Sequence, residues 1–172
     1  MANATLRYQT TSKVNLLFSK LGYSGFRILT HNYFVIDLNT GDKKMEYTEF
    51  ITHVQSLAQS EFREEAEVAT RATLETIKKI IPSGEREELA AQIPQELREY
   101  LYGGETEPIQ SLNLQEFIEC ISDKEQVEPT IAAIHVRAVF AVVQLAVSPE
   151  NFRKFYNYFS HDYEELFTIS LA

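Results

Sequence analysis

Beyond Met45 the apolar residues recur every three or four positions, the spacing that gathers them on one stripe of a helix. Four helices are predicted at residues 47–57, at 61–81, from Ser83 and from Pro94, and four more at 114–122, at 127–147, from Ser148 and from Ser160. Local signals agree with these starts. Asn113 with Glu116 three residues later is the pattern of a capping box. Ser83 and Ser148 read as N-caps, with Pro149 at a first helical position where its missing N–H is no loss. Glu85 and Glu150 then favour the positive end of each helix dipole. Over 127–147 the apolar residues widen to nearly every face, which predicts a central helix.

The pattern repeats. Glu49-Phe50-Ile51 returns as Glu116-Phe117-Ile118 sixty-seven positions later, and Ala66, Arg71, Ala72 and Glu99 return as Ala132, Arg137, Ala138 and Glu165 sixty-six positions later. Leu74 pairs in this way with Phe140, Leu89 with Phe155, Ile93 with Phe159 and Leu97 with Tyr163. The expected fold is therefore all-α: a duplicated helical bundle of two pseudo-symmetric four-helix units, residues 45–102 and 112–168, within one helical domain at 45–172. Gly103-Gly104 through Pro108 reads as the linker between the units.

Residues 1–44 depart from this pattern. Their clean local signal is Tyr33-Phe34-Val35-Ile36 running into Asn39-Thr40-Gly41-Asp42, a short strand followed by a turn. They carry six Lys or Arg against two Asp, a net of +4, and the remaining 128 residues carry −13. Three readings stay open for this appendage: a disordered basic tail, an irregular or short β piece packed on the body, or sequence upstream of a true start at Met45.

Arg71-Ala72-x-Leu74 in the second helix and Leu89-Ala90-Ala91-Gln92-Ile93-Pro94 in the third, with Glu-Phe-Ile in the first, resemble the bacterial family called domain of unknown function 2267. The resemblance runs from about Met45 to Phe167 and implies a duplicated helical bundle; it brings no catalytic residue with it. The second copy reads Phe155-Tyr156-Asn157-Tyr158-Phe159-Ser160 where the first has its most specific stretch, so a role found in one copy does not pass automatically to the other.

Composition narrows the functions. A net charge of −9 repels phosphate backbones, and no helix carries a basic stripe, which argues against a nucleic-acid partner. The lone Cys120 has no intramolecular disulfide partner and sits among apolar neighbours as an inert thiol. With no basic segment leading into an apolar one at the N-terminus, a cytoplasmic location is expected. Residues 131–147 fall short of a membrane span and hold His135, Arg137 and Gln144, so a buried core helix is expected and no membrane.

Each chemically suggestive motif has a plainer reading. Ser160-His161-Asp162 has the residue types of a hydrolase triad, but neighbours in sequence cannot face one another in the required order. The histidines at 31, 53, 135 and 161 have no partner at metal-binding spacing. Asp37-Leu38-Asn39-Thr40-Gly41 opens like a calcium loop, but its glycine is one place early and Thr48 stands where the bidentate Glu belongs. No catalytic residue, metal or cofactor is expected. Arg71 and Arg137, matched between the copies and flanked by apolar residues, are expected to be buried and paired with a carboxylate such as Glu99 or Glu165, or Glu49 and Glu116; anion binding is the alternative. Phe152, Tyr156 and Tyr158 replace Arg86, Ala90 and Gln92 and are surplus aromatics. They either pack on the other copy or the N-terminal appendage, or form an exposed interaction patch.

These observations lead to a non-enzymatic module that binds a protein partner or a second copy of itself, with a bundle holding a small apolar ligand as the alternative. The repeat begins just after Met45, so a chain starting at Met45 should keep the helicity and melting temperature of the full chain. Parallel thermal melts check this, and a drop of more than about 8 °C would make the appendage structural, since 1 kcal/mol moves a domain of this size by about 2–4 °C.

Overall fold

Helix formation starts at Tyr47, one residue after an extended Glu46, and in the computed structural model every described element that follows is helical. The structure describes residues 44–102 and 111–167, which lie in one unit. The strand and turn expected within 33–42, and the linker expected at 103–108, lie outside the described residues. The elements are α1 (Tyr47–Ala58), α2 (Arg63–Ile80), α3 (Ser83–Gln92), a 3-10 turn (Gln95–Tyr100), α4 (Leu114–Glu125), α5 (Pro129–Ala146), α6 (Pro149–Tyr156), a 3-10 turn (His161–Tyr163) and α7 (Glu164–Phe167). Among the described residues there is no strand, so the fold is all-α.

The starts and stops have local causes. Asn113 accepts from the Glu116 N–H at 3.0 Å while the Glu116 carboxylate accepts from the Asn113 N–H at 2.9 Å, the capping box expected for α4. Ser148 caps α6 by accepting from the Asn151 N–H at 3.4 Å, with Pro149 at the first position. Ser83 does not cap α3: the helix begins on it, and Pro82, locked extended at φ −62°, ψ 159°, takes the cap position. α1 and α4 end alike, each on a glutamine in the left-handed region, Gln59 at φ 56° and Gln126 at φ 57°. That conformation costs a residue other than glycine about 1 kcal/mol, and here the turn backbone holds it, with Ser60 N–H bonding Gln55 O and Val127 N–H bonding Ser122 O. α4 runs three residues past its expected end because Asp123-Lys124-Glu125 continue the helix without adding to the apolar stripe. The elements expected as fourth helices are 3-10 turns at their starts, as suits segments too short to nucleate an α-helix unaided.

Four helices make the core. α1 packs on α2 and on α5, α4 packs on α5 and on α2, and α2 and α5 pack on each other. α1 contributes Phe50, Ile51 and Val54, α2 Leu74 and Ile77, α4 Phe117 and Ile121, and α5 Val136, Val139, Phe140 and Val143, all fully enclosed. By length and composition α5 could cross a membrane, but half of it is buried inside the protein, as befits a core helix. Around its midpoint the rings converge: Phe140 lies 4.7 Å from Phe167, 5.4 Å from Phe159, 5.7 Å from Phe155 and 6.1 Å from Phe117. Tyr163 closes the cluster at 5.4 Å from Phe117 and directs its hydroxyl to Leu112 O at 2.9 Å. Burial pushes that phenol well above the usual tyrosine range, so it remains a donor.

Phe140 touches four rings, and no neighbour can fill its space without losing its own contacts. Phe140→Ala should cost about 3–5 kcal/mol, read as a melting temperature lower by roughly 6–20 °C. A loss below about 1 kcal/mol would show that the aromatic cluster does not organise the core.

Candidate functional site

The paired arginines are not where the repeat pattern led us to expect them. Arg71 is exposed and Arg137 half-buried, and among the described residues neither makes a salt bridge. Glu99 and Glu165 are exposed as well. The reason is helical phase. α2 buries Ala66, Ala69, Thr70, Thr73, Leu74 and Ile77, which turns Arg71 to the opposite side, with Glu67 and Glu75 one turn away on either hand. Glu49 lies 3.8 Å from His53, and Glu116 is engaged in the capping box, so the other carboxylates considered are occupied too.

The surplus aromatics do not form an exposed patch. Phe152 is buried, 5.9 Å from Phe155 and 6.0 Å from Phe167. Tyr156 is half-buried, edge-on to Phe167 at 4.7 Å. Tyr158 reaches across to α3, where its hydroxyl donates to Glu85 at 2.6 Å and holds that carboxylate below the usual range. Lys154 meets Glu88 at 3.0 Å along the same seam, and Gln92 accepts from the Ser148 N–H at 2.6 Å. α3 and α6 are thus joined by polar groups over a small hollow lined by Ile81, Glu85, Glu88, Leu89, Asn151, Lys154 and Phe155. A second hollow, open to solvent, is lined by Gln95, Arg98, Glu99 and Tyr102.

The Ser160-His161-Asp162 stretch is a helix joint. Asp162 accepts from Ser160 and, at 2.8 Å, from the Leu114 N–H at the start of α4, and these bonds hold its carboxyl below the usual range. His161 is exposed and lies 3.6 Å from Glu164. Cys120 is half-buried, with the Lys79 ammonium 3.7 Å from its sulfur. Among the described residues no three His, Cys, Asp or Glu gather as a metal site.

Sequence reasoning missed a buried pair. The Glu125 carboxylate, at the last residue of α4, lies 2.5 Å from His135 Nδ1 on α5, with side chains 2% and 9% exposed. Its second oxygen is buried without a hydrogen-bond partner. Sixty-seven and sixty-six positions earlier stand Ala58 and Ala69, so the pair belongs to one half of the chain alone. Ten residues separate its members across a turn, a distance at which no helical spacing signals a contact.

The outward face of α5 differs from that of α2 in the same way. α2 opens with exposed Glu64 and Glu65, followed by Glu67 and Val68; sixty-six positions on, α5 has Thr130, Ile131, Ala133 and Ile134. Ile131 and Ile134 are 42% and 43% exposed. Acidic residues in a first turn are both well solvated and favoured by the helix dipole, by roughly 0.3–1 kcal/mol each, and α5 has none.

Residues 47–166, well over half of the chain, match a family described as "Uncharacterized conserved protein (DUF2267)". No curated protein matches the chain.

The Glu125 and His135 pair supplies a test of the buried polar chemistry. Glu125→Leu alone should lower stability by about 3 kcal/mol, since it strips a buried imidazole of its partner, whereas Glu125→Leu with His135→Leu should cost about 1 kcal/mol or less. Denaturant melts of both variants decide it, and equal losses would contradict a coupled pair.

Proposed function

The chain belongs to the DUF2267 family, and from that premise we propose that it is a non-enzymatic, internally duplicated helical module that binds a protein partner through the N-terminal half of α5. The duplication is supported by matched elements: α1 and α4 have 12 residues each and α2 and α5 have 18, at the offsets of the sequence repeat. It is supported too by reciprocal packing, α1 on α5 and α4 on α2.

The observation that carries the docking surface is the loss of charge on one of two equivalent faces. Where the first half keeps Glu64 and Glu65 in solvent and pairs Glu67 with Arg63, the second has Thr130, Ile131 and Ala133, next to the exposed Ile134. Folding gains little from this exchange, because it gives up the first-turn carboxylates, leaving Glu128 at the cap to face the dipole, and leaves isoleucine in water. Covering the exposed parts of the two isoleucines would contribute roughly 3 kcal/mol to association. The module works in the cytoplasm on this reading and needs no cofactor, nucleic acid or membrane. A small apolar ligand fits less well, since Glu85, Glu88 and Lys154 line the hollow between α3 and α6.

The test is the double variant Ile131→Glu with Ile134→Glu. It should melt within about 4 °C of the parent. In size-exclusion chromatography of native lysate the parent should elute above its 19.8 kDa monomer and the variant at it. A melting temperature lower by more than about 8 °C would place the isoleucines in the fold itself, and identical elution of the two proteins would refute the docking surface.

A further inference from the structure

We infer that the partner presents an amphipathic helix whose carboxylate pairs with Arg137 while two of its apolar side chains cover Ile131 and Ile134. This rests on the docking surface proposed above and gives it a chemistry. Arg71 and Arg137 occupy equivalent positions, but their surroundings differ. Arg71 has Glu67 four residues before it and Glu75 four residues after, carboxylates that are themselves paired with Arg63 and Lys124. Around Arg137 both positions are alanine, Ala133 and Ala141. The second half has kept the cation and removed both carboxylates that its helix could offer. Arg137 is half-buried, and its Nε is enclosed without a hydrogen-bond partner.

A ligand that covers Ile131 and Ile134 also takes water from Arg137, which follows one turn later on the same ridge. Desolvating a guanidinium is unfavourable unless the incoming surface brings an acceptor, and a carboxylate meets the guanidinium fork with two parallel hydrogen bonds. Ile131, Ile134 and Arg137 advance three residues at a time over about 9 Å of helix. A ridge of that kind seats in the groove of a second helix, and the small Ala133 lets the two axes approach. The matching partner sequence, running antiparallel, is an acid followed at three-residue steps by two apolar residues. Since this chain carries −9, long-range repulsion disfavours a strongly acidic partner. The complementary helix is therefore mainly apolar on its docking face, with one acid aimed at Arg137.

The experiment uses the full chain in the cells that make it, with photoreactive benzoylphenylalanine incorporated in place of Ile134 and, as control, in place of the equivalent Val68. Irradiation should link position 134 to one discrete protein through a helical segment bearing an Asp or Glu, at least tenfold above the yield at position 68. Arg137→Glu should abolish that product, and exchanging the partner's acid for Lys should restore it. Arg137→Gln, expected to reduce the yield about tenfold, serves if circular dichroism shows that the charge reversal impairs folding. A product insensitive to both Arg137 variants overturns the carboxylate inference and leaves the docking surface standing. Capture of a second copy of the chain, or of lipid, overturns the inference as well. No product at position 134 beyond the control overturns the docking surface itself.

Discussion

The contact between α2 and α5 is the constraint from which the rest of the structure follows. Each is eighteen residues long and buries residues on more than one side, so each needs neighbours on several flanks. They meet each other on one flank; the others are covered crosswise, α5 by α1 from the first half and α2 by α4 from the second. Neither half is complete alone. An isolated first half would leave α2 without α4, and an isolated second half would leave α5 without α1. At about 25 cal/mol for each Å² of apolar surface, losing one such helix contact removes several kcal/mol, a large part of a domain's net stability. The first and second halves of the described chain therefore interlock.

At positions sixty-six or sixty-seven apart in the sequence, differences between the halves show where their requirements diverge. Inside, Ala58 and Ala69 give way to Glu125 and His135, an exchange of two small apolar groups for a pair whose burial is expensive and whose second carboxylate oxygen finds no donor. Around the third helices, Leu89 and Ile93 give way to Phe155 and Phe159, and the rings of Phe140, Phe152 and Phe167 gather on them. Outside, acids give way to Thr130, Ile131 and Ala133. The first half carries the more soluble exterior and the second the denser interior.

Helix positions, the capping box at Asn113, the cap at Ser148 and the core identity of Phe155 were legible in the sequence, because each depends on residues within a turn or two of one another. The family was legible for the same reason, through short motifs such as Leu89-Ala90-Ala91-Gln92-Ile93-Pro94. Arg71 and Arg137 were misjudged because apolar neighbours in sequence are not neighbours in space: on α2 the residues flanking Arg71 point inward while it points out. The surplus aromatics could not be placed because Phe167, which receives Phe152 and Tyr156, arrives from the end of the chain. Glu125 reads in sequence as one more solvated charge in Asp123-Lys124-Glu125, and its burial depends on how α4 meets α5.

Exposed apolar residues taken singly carry little information, and Phe62 and Tyr102 are as exposed as Ile131 and Ile134. The comparison within the chain gives one reason to single out the α5 pair: Ile131 stands where α2 has the exposed Glu65, although Phe62 is likewise exposed where α5 has Glu128. The buried pair adds a second reason. His135 directly follows Ile134, and its bond to Glu125 fixes the rotation of α5 about its own axis at that turn. A rotation of one residue, about 100°, that carried His135 into the outward direction now held by Ile134 would break that bond. The buried pair of Glu125 and His135 thus accompanies a conformation in which Ile131 and Ile134 face out, and its cost is met by the apolar residues of α5 enclosed on either side of it.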